Sequence, residues 1–97
     1  MQFLILAYDA SDAGAQARRA KAREAHLAMI EKYRKMGHMH MGAAILDDEG
    51  NMIGSCIICE FPSVEALDAW LAEEPYIKQK VWEEVGVSDC KIGPSFL

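Results

Sequence analysis

Hydrophobic positions change their period several times along this chain, and each change marks an element. Gln2 to Tyr8 (QFLILAY) is a short β-favouring apolar run, closed by the turn-like Asp9-Ala10-Ser11-Asp12. A helical pattern follows, from Asp12 or Ala15 to Met36, with Gly14 weakening its first turn and Gly37 placed as a C-cap. Arg23, His26, Leu27, Ile30, Tyr33 and Arg34 recur in it at three- and four-residue spacing, which predicts one shared face. His38 to Asp47 reads as a strand, Asp48-Glu49-Gly50-Asn51 as a hairpin turn, and Met52 to Phe61 as the returning strand. Ser63 is placed to cap a helix from Val64 to about Glu73, with Val64, Leu67, Trp70 and Leu71 on its apolar face. Glu74-Pro75-Tyr76 breaks that helix, because proline disfavours α geometry in the residue before it. Ile77 to Trp82 is expected to add a helical turn, and Val85 to Ile92 a last, weaker strand.

The order β-α-β-β-α-β predicts an α+β fold of the ferredoxin-like kind, a four-stranded antiparallel sheet with two helices on one face. A sheet with one wet face should alternate apolar and polar residues. Met39 to Leu46 and Met52 to Ile58 do not, since both of their faces carry Met, Ile, Ala, Leu or Cys. Two helices cover only one face, so a second copy of the sheet is the expected cover for the other, and a homodimer is the expected assembly.

The 97 residues fit a single domain, residues 1–97, and a chain this short gains from a partner subunit. The formal net charge of −5 argues against nucleic acid as a partner. Arg18, Arg19, Lys21 and Arg23 make a local basic patch that reads as a solvated helix surface. No apolar run approaches the roughly 20 residues needed to span a bilayer, so no membrane association is expected. Met1 to Tyr8 lacks a basic flank and a small-residue cleavage site, and reads as a strand. Three cysteines, an odd number, are simplest as reduced thiols, and the expected location is cytoplasmic.

His26 is the first candidate for chemistry. It lies on the stripe of Leu27 and Ile30, one turn after Arg23, where a helix that only needed packing would carry Leu or Ala. A stripe-edge histidine bonded to a carbonyl or to water would produce the same spacing, and spacing alone leaves both readings open. Cys56-Ile57-Ile58-Cys59 matches a CxxC pattern, but strand residues three apart face opposite ways, so the thiols read as core residues. His38 and His40 are expected on one strand face, yet no third ligand is placed beside them, and no metal or other cofactor is expected. Phosphate loops, dinucleotide fingerprints and nucleophile elbows are absent.

Several of these residues fall in an order that resembles the YciI-like (YCII-related) family. They are Arg23-Glu24-Ala25-His26-Leu27, Gly42, Asp48-Glu49-Gly50, Gly54-Ser55, Glu60-Phe61 with Ser63 beyond, and Glu74-Pro75-Tyr76. The resemblance runs from about Phe3 to Pro94. It implies a dimeric α/β-barrel built on the ferredoxin-like fold, and an active site centred on a histidine with an acidic partner. Those positions correspond here to His26 and Glu74, with Arg23 and Ser55 also matching. Glu74 stands where the family usually has aspartate. Some members of the family remove chloride from a chlorinated hydroxyquinol without a metal.

Two functions follow. In the first, the chain is a cofactor-free lyase or isomerase-like enzyme on a small polar cyclic or aromatic substrate. His26 would be the acid/base, Glu74 its orienting carboxylate, Arg23 the holder of an anionic oxygen, and Ser55 and Tyr76 hydrogen-bonding groups. In the second, the same pocket serves a non-catalytic ligand-binding or interaction domain.

Overall fold

A computed structural model describes all residues from Met1 to Leu97. The elements are β1 (Gln2–Asp9), α1 (Ala15–Lys35), β2 (Met39–Leu46), β3 (Met52–Glu60), α2 (Val64–Glu73), α3 (Pro75–Lys78) and β4 (Trp82–Cys90), with a short 3-10 turn at Pro94–Phe96. All strand pairings are antiparallel and the sheet order is β2-β3-β1-β4. Both hairpin and helix caps use the expected residues. Gly37 and Gly50 take positive φ values of 87° and 85°, and the Ser63 hydroxyl accepts from the Ala66 N–H at 3.1 Å.

Two local readings are corrected. The extra helical turn spans Pro75–Lys78 rather than Ile77 to Trp82, because Pro75 has the φ that suits a first helical position. Lys80, at φ 59°, then reverses the chain, and β4 starts at Trp82, three residues before Val85. A bulge where Tyr8 pairs with Glu84 but Asp9 pairs with Trp82 turns the Trp82 indole to the helix-covered face.

Phe3, Ile5 and Ala7 of β1, Ile57 and Cys59 of β3, Met39 and Trp82 form the sheet's contribution to the core. Leu67 and Trp70 of α2 close it, and Ala22 lets α1 sit close. The buried stripe of α1 is Ala15, Arg19, Ala22 and His26. That corrects the reading of Arg19 as solvated, since it is only 5% exposed, whereas Leu27 is 46% exposed. The stripe is rotated toward Arg19 from the one the apolar pattern suggested and shares His26 with it, because a buried Asp9 carboxylate neutralises Arg19 and makes its burial tolerable.

The opposite sheet face carries Leu4, Leu6, Tyr8, Met41, Ile45, Cys56 and Ile58, and no helix covers it. Cys56 and Cys59 lie on opposite faces, as strand alternation requires. Burial pushes the Cys59 thiol up to about 12. No helix is long and apolar enough to cross a membrane.

Gly54 is the most closely approached of the glycines. A Cβ there would stand 2.5 Å from the Ala7 carbonyl oxygen, which is backbone and cannot turn aside. Gly54→Ala is expected to cost about 1–3 kcal/mol of stability by forcing β1 and β3 apart. Urea denaturation with an unchanged midpoint would contradict this.

Candidate functional site

The site is assembled on the helix-covered face from α1, the end of α2, β3 and the start of β4. Glu74 is the residue between α2 and α3, extended at φ −63° and ψ 122° as the residue before proline must be. Its side chain caps α3 by accepting from the Tyr76 N–H at 3.1 Å. The same oxygen, Oε1, lies 2.5 Å from His26 Nδ1, and Glu74 is 0% exposed. Its second oxygen is buried with no partner. A cap and an ion-pair partner are therefore one carboxylate, which leaves Glu74 a single position.

The imidazole is held on further sides. Tyr76 stacks on it at 3.9 Å between centroids and 9° between planes, and Trp82 meets it edge-on at 6.0 Å. Nδ1 is thus committed to Glu74, while Nε2 has no protein partner and belongs to the wall of a cavity of about 350 Å³. That cavity is lined by Arg19, Arg23, His26 and Tyr76 on one side, and by Ser55, Ile57 and the methionines Met39 and Met52, among others. Met side chains adapt to irregular ligand shapes. The size suits a single ring with a few polar substituents. Burial pushes the Tyr76 hydroxyl up, with the nearby Arg19 and Arg23 charges opposing.

All five residues singled out from the sequence line this cavity or touch one that does: His26, Arg23, Ser55 and Tyr76 line it, and Glu74 stands behind His26. Arg23 makes no ion pair and is left as an exposed cation at the rim. Sequence reasoning missed three others. Arg19 donates from Nη1 to both Asp9 carboxylate oxygens, at 2.8 and 2.9 Å, and from Nη2 to the Gly54 carbonyl and the Ser55 hydroxyl, both at 3.1 Å. Its guanidinium also lies 4.8 Å from the Tyr76 ring centre. Trp82 Nε1 donates to the same Ser55 hydroxyl at 3.1 Å. Alternation could have found Asp9, the inward position after Phe3, Ile5 and Ala7. Small Ala15 and Ala22 flanking Arg19 on one stripe could have found the arginine. Trp82 had no signal, because the bulge that turns it inward is a property of strand pairing.

The pair His38 and His40 does not form the common face expected of it. His38 Nδ1 donates to the Glu60 carbonyl at 2.8 Å and its ring stacks on Phe61, while His40 Nε2 lies 2.8 Å from the Glu60 carboxylate. The strand begins only at Met39 and its register shifts between Met39 and Met41, which separates the two rings.

The model of the YCII-related domain matches residues 1–91. The chain belongs to that family. Protein YciI of Escherichia coli is 34% identical over 97 residues, covering 94% of this chain and 97% of its own. Among solved structures, 5-chloro-2-hydroxyhydroquinone dehydrochlorinase (TftG) of Burkholderia phenoliruptrix, in complex with 2,5-dihydroxybenzoquinone, superposes with a TM-score of 0.82 at 27% identity. That match covers 98% of each chain. A dimeric ferredoxin-like protein of unknown function from Jannaschia shares the fold, with a TM-score of 0.50 at 12% identity over 94% of this chain and 98% of that one. The four-stranded antiparallel sheet of this YCII-related domain is therefore ferredoxin-like, with two main helices and the short helix Pro75–Lys78.

The geometry fixes a tautomer. A carboxylate can only accept, so neutral His26 carries its proton on Nδ1 and presents a lone pair at Nε2. Glu74→Gln lets an amide donate to Nδ1 and is expected to move the proton to Nε2. Imidazole ¹⁵N shifts of the two nitrogens should exchange their order in the variant, and shifts identical to wild type would refute the arrangement.

Proposed function

We propose that this YCII-related protein is a cofactor-free acid–base enzyme acting on a small, polar, cyclic or aromatic substrate. The observation that carries the reading is His26: one ring nitrogen is bound to a fully buried carboxylate, and the other opens on a cavity of ring size. Nε2 takes a proton from an acidic O–H or C–H bond of the substrate. The electron pair left behind moves into the ring system and expels a leaving group or shifts a double bond, and the imidazolium returns its proton to the product or to solvent. Glu74 holds the ring and stabilises its cation, Arg23 attracts the anionic oxygen that develops, and Ser55 and Tyr76 hydrogen-bond the substrate. The dehydrochlorinase similarity supports an elimination of this kind, as does a wall of methionine and isoleucine that suits a flat ring.

Turnover of 5-chloro-2-hydroxyhydroquinone, followed by chloride release, is the first assay. His26→Ala and Glu74→Gln should each lower kcat/KM by about 10²–10⁴-fold, and the double variant should be little worse than either. Full activity in either single variant would overturn the assignment. Tight binding of ring ligands with no turnover across a panel of hydroxylated aromatics would instead identify a ligand-binding domain.

The active form is a homodimer in this reading, placed in the cytoplasm, where its three free cysteines suit a reducing environment. Leu6 and Tyr8 are each 41% exposed on the uncovered sheet face, beside Ile58 and Met41, and a second sheet would bury them. Light scattering should give twice the chain mass of 10.8 kDa at micromolar concentration, and Leu6→Asp should yield monomers. A wild-type monomer at that concentration would exclude the face-to-face assembly.

A further inference from the structure

Ser55 has a property that sequence could not reveal. A serine hydroxyl offers one O–H donor and two acceptor lone pairs, and it normally rotates to suit its ligand. Here Arg19 Nη2 and Trp82 Nε1 both donate to Ser55 Oγ at 3.1 Å. Neither partner can accept a hydrogen bond, since guanidinium and indole N–H groups are donors only. Both lone pairs are therefore occupied, and the hydroxyl proton has to point elsewhere. No protein atom accepts it, and Ser55 forms part of the cavity wall.

Rotation of the donors is blocked as well. Asp9 holds Nη1 of Arg19 through both carboxylate oxygens, and the Gly54 carbonyl takes the other Nη2 hydrogen. Gly54 is the position where any side chain would collide with β1, so the carbonyl that steadies Arg19 is set by the sheet itself. Both Nη groups of Arg19 are bonded inside the protein, and its Nε is buried without a partner. The arginine acts on a ligand through Ser55, whose O–H bond its charge polarises.

We infer that Arg19 and Trp82 are positioning residues that lock the Ser55 hydroxyl as a hydrogen-bond donor into the cavity, which thereby selects ligands presenting a carbonyl or anionic oxygen at that point. This rests on the reading of the cavity as the ligand site. A ligand with an O–H directed at Ser55 meets donor against donor and loses the bond, which leaves a buried donor unmet. Arg23, the unpaired cation at the rim, favours the anionic member of the acceptor class. With a lone pair at His26 Nε2 and a fixed donor at Ser55, the cavity is polarised. It matches a substrate that gives up a proton at one edge while negative charge gathers on an oxygen at another, as in enolisation of a ring carbonyl or ionisation of a ring hydroxyl.

The test is calorimetric titration of 2,5-dihydroxybenzoquinone, as its anion at neutral pH, into wild type, Ser55→Ala, Trp82→Phe, the double variant and His26→Ala. Ser55→Ala should weaken binding about tenfold. Trp82→Phe, which frees one lone pair and lets the hydroxyl turn inward, should weaken it several-fold, and the double variant should match Ser55→Ala. Neutral hydroquinone, which offers O–H groups, should bind more weakly than the quinone anion in wild type, and the gap should narrow in Trp82→Phe. Effects of the two substitutions that multiply, or an affinity unchanged by Trp82→Phe, would overturn the lock while leaving the cavity as the ligand site. Binding that ignores both Ser55→Ala and His26→Ala, or no binding by wild type, would overturn the site reading and the lock together. If Trp82→Phe does not fold, the indole N–H resonance of Trp82 in Ser55→Ala decides: it should shift and lose protection from exchange, and an unmoved resonance would overturn the lock.

Discussion

The ion pair between Arg19 and Asp9 is the constraint on which the site depends. Both side chains are nearly sealed from water, at 6% and 4% exposure, so neither charge could be buried without the other. Removing one partner of such a pair costs about 3–5 kcal/mol in known cases, because the remaining charge is stranded. The pair ties α1 to the end of β1, and the second half of the guanidinium fork ties α1 to β3 at Gly54 and Ser55. Through Ser55 the network reaches Trp82 at the start of β4. One side chain thus sets how the long helix sits across three neighbouring strands, and the orientation of His26, two turns further along α1, follows from that docking.

His26 is then confined by elements that arrive independently. Glu74 comes from the break between two helices, Tyr76 from the short helix that Glu74 caps, and Trp82 from the bulged strand. Each has a structural role of its own, so the ring is held by groups that cannot move without disturbing the fold. This is preorganisation in a physical sense: a buried carboxylate selects the tautomer and stacking sets the plane. Glutamate in place of the family's usual aspartate lengthens the arm by one methylene. The hydrogen bond still forms, at 2.5 Å from Nδ1.

The sheet divides the molecule into two different surfaces. The helix-covered face holds the polar network and the cavity, while the other face is apolar and open. Gly54 sits where the two meet. Its missing side chain allows β1 and β3 their close approach on one side, and its carbonyl receives Arg19.

Much of this was legible in the amino-acid sequence because it depends on local spacing. Strand and helix order, the Gly37 and Gly50 turns, the Ser63 cap and the opposed faces of Cys56 and Cys59 all follow from period, propensity and turn chemistry over a few residues. Pro75 likewise marked Glu74 as extended, and helical spacing placed His26 inward. The same local rules read Arg19 as solvated and put Trp82 on a helix. A charge is buried only when a distant residue compensates it, and Asp9 is ten positions away along the chain. A bulge exists only once two strands have paired, and it is the pairing of Asp9 with Trp82 that turns the indole inward. Sequence by itself determined which elements form and which face of each is apolar. Tertiary structure decided which polar groups meet, because that depends on docking and register, and hydrogen bonds between residues 27 to 48 positions apart have no local signature.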